Sequence, residues 1–118
     1  MLIHCQDKLG VEDGNITDDQ LQASSDLSNG TGLLQWRLNQ EAVTGMPGAW
    51  VALISDTQPW IQVNLYRHTH IAGVIVQGRT DAEQWVTSYK VKTSLDADPV
   101  LYDFVKDKDG AEEVGTLI

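Results

Sequence analysis

The sequence predicts an all-β domain, an antiparallel sandwich or barrel, from three successive stretches. Trp60-Ile-Gln-Val-Asn-Leu65 alternates, with Ile61, Val63 and Leu65 on one side and Gln62 and Asn64 on the other. Ile71-Ala-Gly-Val-Ile-Val-Gln-Gly78 is an apolar run rich in β-branched residues, the pattern of a strand covered on both faces. Trp85-Val-Thr-Ser-Tyr-Lys-Val-Lys-Thr-Ser94 alternates again, placing Trp85, Thr87, Tyr89 and Val91 on one side and Ser88, Lys90 and Lys92 on the other. Residues 78–84 are a polar connection, and no helical period intervenes.

The remaining elements follow in chain order. Leu9-Gly-Val-Glu-Asp-Gly14 reads as a turn, with Gly10 and Gly14 available for positive φ. In residues 16–23, Thr17 or Asp18 is placed to cap a single helical turn before Leu21, and a short strand fits the same residues. Residues 24–32 are rich in Ser, Asn, Asp and Gly and predict a long exposed loop. Residues 33–38 bring the chain back to the core. The turn Thr44-Gly-Met-Pro-Gly48 delivers a strand over 49–54, and Asp56-Thr-Gln-Pro59 turns into the Trp60 strand. Residues 66–70 link that strand to the apolar run. A turn over 95–99, a strand over 100–105, a polar segment over 106–113 and a further strand from Val114 to Ile118 complete the chain.

With 118 residues, 42% of them hydrophobic and 21% charged, the chain is ordinary globular material with enough length for one core. No apolar run is long enough to span a bilayer as a helix. Met1-Leu-Ile-His4 is too short for a signal peptide, so either a leader has been removed or the sequence is a piece of a longer one. The net charge of −9 sits at the ends: six acids and one base in residues 1–30, seven acids and two bases in residues 96–118. Such a chain lacks the basic footprint that a nucleic-acid backbone needs, and bulk electrostatics do not draw it to an anionic membrane. The acidic ends read as solvated surface. Cys5 is alone and closes no intrachain disulfide. Two N-glycosylation acceptors, Asn15-Ile-Thr17 and Asn29-Gly-Thr31, both in polar turn-rich segments, point toward a secreted protein.

The motif series resembles the coagulation factor V/VIII type C, or discoidin, domain. It comprises Cys5, Leu9-Gly-Val-Glu-Asp-Gly14, Ile16-Thr-Asp18, Ala23-Ser-Ser25, Arg37-Leu-Asn39, Gly48-Ala-Trp50, Trp60-Ile-Gln-Val-Asn-Leu65, Val76-Gln-Gly-Arg79 and Trp85-Val-Thr-Ser-Tyr-Lys90. The family usually has Asp and Gly where Asn64 and Tyr66 stand, and Thr93-Ser-Leu-Asp96 is a weak version of its Tyr-Ser-x-Asp-Gly. Its Gly-Asn-x-Asp segment, Arg-rich penultimate strand and final Cys, the disulfide partner of the residue matching Cys5, are absent. The resemblance therefore implies a domain over residues 5–118 that lacks its final strands and, expressed alone, aggregates or forms mixed disulfides through Cys5. It further implies a jelly-roll-like antiparallel β-barrel, galactose-binding-domain-like, in an extracellular protein. Its role would be non-catalytic binding through loops at one end of the barrel. Ligands across the family include phosphatidylserine membranes, collagen and other matrix proteins, growth-factor tails and glycans; a fold carries over more readily than a ligand.

By the same resemblance, residues 26–34 match the first projecting loop. Its middle, including Asn29, Gly30 and Thr31, is polar, while Leu33 and Leu34 either anchor the returning strand or enter a membrane. Residues 78–84 match another loop, in which Arg79 either pairs with Asp81 or Glu83 or faces a ligand carboxylate. Trp50 is either a recognition hot spot or a packed Trp with its indole N–H bonded. Trp36, Trp60 and Trp85 read as core or barrel-end packing. His68 and His70 share a strand face without a third ligand nearby and read as surface histidines. No Gly-x-Ser-x-Gly, His-Glu-x-x-His or phosphate loop occurs, and no residue set calls for a cofactor or metal. The leading expectation is a recognition or adhesion module for an extracellular protein or glycan. The alternative is a module that binds a phospholipid surface.

Overall fold

The structure is a computed structural model that describes residues 7–28, 36–44, 47–95, 103–106 and 114–116. Its regular elements are strands and one short 3₁₀ turn, with no α-helix among the described residues. The chain divides into two compact units, residues 1–83 and 84–118.

The first unit is built around residues 9–24. Gly10 takes φ +105° and Gly14 φ +85°, conformations that a side chain disfavours, and Ile16 N–H closes the turn onto Gly10 O at 2.9 Å. Thr17 then starts the 3₁₀ turn η1 (Asp18–Gln20), and Gln20 Oε1 reaches back to accept the Thr17 N–H at 3.0 Å. Strand β1 (Leu21–Ala23) follows directly, so the cap and the short strand predicted as alternatives both form. β1 pairs antiparallel with β2 (Ile61–Val63) in the register Leu21↔Val63, Gln22↔Gln62, Ala23↔Ile61. Bonds beyond each end extend the ladder: Ser24 N–H to Trp60 O at 3.0 Å, and Asn64 N–H to Gln20 O at 2.8 Å. Among the described residues the buried apolar side chains are Ile16 and Leu21, 5% and 3% exposed, one on each side of η1.

Polar side chains hold the irregular parts of this unit. Arg37 donates to Val11 O, to Ile16 O at 2.8 Å and to Asp18 Oδ1 at 2.6 Å, clamping the turn against η1. Asp56 Oδ2 accepts from both Ser24 and Ser25 hydroxyls, and those same oxygens accept Trp60 N–H and Leu53 N–H at 3.0 Å each. The two serines thus pin the 53–60 turn to the end of β1 and hold the Asp56 carboxyl below its ordinary value. Asn39, at φ +59°, donates its backbone N–H to Gln77 Oε1 at 2.7 Å and its Nδ2 to Glu12 Oε1 at 2.7 Å. Tyr66 is the residue at φ +60° after β2, where the resemblance expects glycine. Asn64 Oδ1 accepts the Tyr66 N–H at 2.9 Å, an Asx-type turn, and the phenol donates to Asp19 Oδ2 at 2.8 Å. These two bonds hold a backbone conformation that a bulky residue otherwise avoids.

Three strand expectations differ in the first unit. Residues 71–79 form no ladder among the described residues, and Ile71, Val74, Ile75 and Val76 are exposed. The apolar run specified a strand suited to cover on both faces, but burial requires something packed there, and no described element pairs with it. Residues 49–54 run without a ladder and end with Ile54 97% exposed, the chain turning at Asp56 N–H to Leu53 O. In β2 the apolar Ile61 and Val63 are the exposed positions, and Gln62 is the more covered one. Trp60 is half-exposed and so does not fill a core.

The second unit contains two antiparallel pairs. β3 (Ser88–Lys90) pairs with β6 (Val114–Thr116), Tyr89 opposite Gly115, and β4 (Lys92–Thr93) pairs with β5 (Asp103–Phe104). Val105 N–H donates to Val91 O at 2.8 Å and continues the second pair. The predicted side shared by Lys90 and Lys92 is realised: their ammonium groups lie 5.3 and 4.4 Å from the Phe104 ring centre. Trp85, read as packing, is exposed.

Candidate functional site

Long-range bonds in the first unit bring three stretches to one edge: residues 25–28, 47–53 and 79–81. Leu27 N–H donates to Val51 O at 2.8 Å. Trp50 Nε1 donates to Ser25 O at 2.8 Å, and Trp36 meets the Trp50 ring edge-on, centroids 6.1 Å apart at 65°. Trp50 is partly covered and its indole N–H is satisfied. Asp26 Oδ1 accepts Ser28 N–H at 2.8 Å.

The 79–81 loop meets this edge through Gly48. A Cβ on Gly48 would stand 2.1 Å from Thr80 Oγ1 and 2.9 Å from Gln40 O, so only glycine admits the contact. Thr80 Oγ1 donates to Gln40 O at 3.1 Å. Arg79 makes a bidentate pair with Asp81, Nε to Oδ1 at 2.9 Å and Nη2 to Oδ2 at 2.7 Å. That pairing holds the Asp81 carboxyl below its ordinary value, with the Gly48 backbone contributing, and raises the Arg79 guanidinium correspondingly. Of the sequence alternatives for Arg79, the structure realises the pair with Asp81. The edge thus presents a fixed, charge-balanced polar group in place of a bare cation. Glu83 is exposed beside it.

Asn15 is described and exposed. Cys5, Asn29, Gly30, Thr31, Leu33 and Leu34 lie outside the described residues. His68 and His70 are exposed, and among the described residues no three metal-ligating side chains cluster. Sequence reasoning missed the apolar part of the edge. Leu27, Leu53 and Ile54 are exposed, and Leu53 N–H is bonded to Ser25 Oγ at 3.0 Å, so the three sit on stretches tied together. The available signal was Leu53-Ile54 running straight into the Ser55-Asp56 turn, where a core strand would not end. Asp26 Oδ2 and Trp36 Nε1 are buried without a hydrogen-bond partner among the described residues.

A family model described as the F5/8 type C domain matches residues 20–115. Lactadherin of Mus musculus is 37% identical over 113 residues, covering 92% of this chain and 24% of that protein. The EGF-like repeat and discoidin I-like domain-containing protein 3 of Homo sapiens is 39% identical over 99 residues, covering 78% of this chain and 20% of that protein. Retinoschisin of Homo sapiens is 30% identical over 108 residues, covering 90% of this chain and 48% of that protein. The chain spans about a quarter of the length of the lactadherins it matches. No solved structure matches.

Proposed function

The chain belongs to the F5/8 type C domain family, and from that premise we propose that it is an extracellular, non-catalytic recognition module for a protein or glycan ligand. The fold proposed with it is the family's jelly-roll-like antiparallel barrel, to which the all-antiparallel pairing is suited. The observation that carries the ligand class is the Arg79–Asp81 pair on the Gly48–Trp50 edge. A pre-paired guanidinium and carboxylate offer directional polar contacts at little ordering cost, which suits a polar macromolecular surface. The same pair cancels the charge that an anionic lipid headgroup would seek.

The second reading is a phosphatidylserine-binding module, favoured by exposed Leu27, Leu53 and Ile54. One experiment separates them. The chain is applied to immobilised collagen and to a glycan array, and in parallel sedimented with phosphatidylserine vesicles. Binding to collagen or a glycan that falls about tenfold in R79A/D81N, a loss of about 1.4 kcal/mol, supports the proposal. The thermal midpoint should move little, because an exposed ion pair contributes little to stability. Retention on vesicles that is lost in L27S/I54S, with no collagen or glycan binding, replaces it by the membrane reading.

A further inference from the structure

The acceptor Asn15-Ile16-Thr17 is divided between solvent and core. Asn15 and Thr17 are exposed, while Ile16 between them is buried. The Asn15 side chain is rooted by the glycine across the turn: a Cβ on Gly10 would lie 2.5 Å from Asn15 Cβ, so the bare Gly10 Cα gives it room. From that root the carboxamide lies at the exposed surface. Its Nδ2 donates to Asp13 Oδ2 at 2.9 Å, and the Asn15 backbone N–H donates to Asp13 Oδ1 at 3.0 Å. Asp13 is itself exposed, so a large substituent on Nδ2 starts from the exposed surface beside a short, exposed side chain.

We propose that Asn15 is an N-glycan attachment site. The proposal rests on the extracellular reading above, since the donor is a lipid-pyrophosphate-linked oligosaccharide of the secretory route. Nδ2 bonds to the anomeric carbon of the donor, the anomeric C–O bond breaks, and the lipid pyrophosphate leaves with that electron pair. The displaced amide proton passes to the transferase. One N–H remains on Nδ2, enough to keep the bond to Asp13, and the backbone bond to Asp13 is untouched. The modification therefore leaves the turn intact.

The acceptor needs the Thr17 hydroxyl free for recognition. In the folded chain that hydroxyl is bonded to Asp19, and Gln20 Oε1 holds the Thr17 N–H. Transfer to the folded chain therefore requires that exposed bond to open, whereas transfer before η1 closes does not.

The test places the chain behind a cleavable secretory leader in eukaryotic cells, in an N29Q background that removes the other acceptor. Forced entry makes the result independent of the route that the protein itself takes, which is scored separately as secretion of the native gene product. Lysate and medium are both read, so a variant that misfolds and is retained still reports. Treatment with peptide N-glycosidase in heavy-oxygen water should convert Asn15 to labelled aspartate and abolish a one-glycan mobility step. That step should vanish in N15Q and persist in T17S. Recovery of an unmodified Asn15 peptide from both fractions overturns the proposal.

Discussion

Residues 9–24 and residues 71–78 lie in the same unit and are held in opposite ways. The first stretch is irregular, with two positive-φ glycines, one 3₁₀ turn and a three-residue strand, yet it holds the two apolar side chains that are buried among the described residues. Arg37 to Ile16 O, Gln20 to Asn64 O and the Ser24 hydroxyl to Asp56 supply bonds between groups distant in sequence. The second stretch has the strongest strand pattern in the chain, yet Ile75 is 70% exposed. Hydrophobic pattern states what a segment would bury. What it does bury depends on whether another element is bonded beside it.

The largest effect should come from the bonded region's core. L21A removes a side chain that is 3% exposed at the junction of η1 and β1. Lost transfer energy and the residual cavity together cost about 2–5 kcal/mol. Urea unfolding followed by fluorescence should show a large fall in midpoint with little change in slope. A fall of less than about 1 kcal/mol would mean that the polar clamps, and not Leu21, hold this region.

A smaller effect should follow acid. Asp56 is held below its ordinary value of 3.8 by the Ser24 and Ser25 hydroxyls, and Asp19 likewise by Thr17 and Tyr66. A depressed folded-state value contributes stability that is present above the unfolded value and is lost as pH falls through the folded one. Stability should thus begin to decline near pH 4 and continue to fall below it. Both carboxylates are at the surface, so salt should flatten the slope. In D56N the decline should be shallower; an unchanged profile would remove Asp56 from the clamp. The Tyr66 phenol, raised by Asp19, adds the mirror image, a loss as pH climbs past 10.0.

These contrasts explain what was legible in the sequence. The Gly10–Gly14 turn, the Thr17 cap, β2 and the strands over 88–93 follow from local chemistry and period, and they form. The antiparallel all-β class followed from the same signals. The convergence of residues 25–28, 47–53 and 79–81 did not, because it depends on contacts such as Trp50 with Ser25 and Thr80 with Gly48, which join residues with no periodic relation. Gly48 was read as a turn glycine, and its role is to let Thr80 approach, a requirement visible only once the partner is placed. Tyr66 shows the converse. The family resemblance places a glycine there, and the structure keeps positive φ on the tyrosine by bonding both ends of the residue.

The smallest expected change is the sharpest check on the comparison. I75S replaces an exposed apolar side chain on a stretch with no ladder among the described residues. If nothing covers Ile75, the substitution should alter unfolding free energy by no more than about 0.5 kcal/mol, the range for surface positions. It should also lower binding of a hydrophobic dye and raise the concentration at which the chain stays monodisperse, since exposed β-branched runs are sites of self-association. Both readouts are needed, because a neutral stability change alone would also fit a side chain half-covered on one face. A loss of about 2 kcal/mol or more would place Ile75 in a core in solution. The apolar run would then be the covered strand that its pattern describes, and the opposition between the two regions would fall.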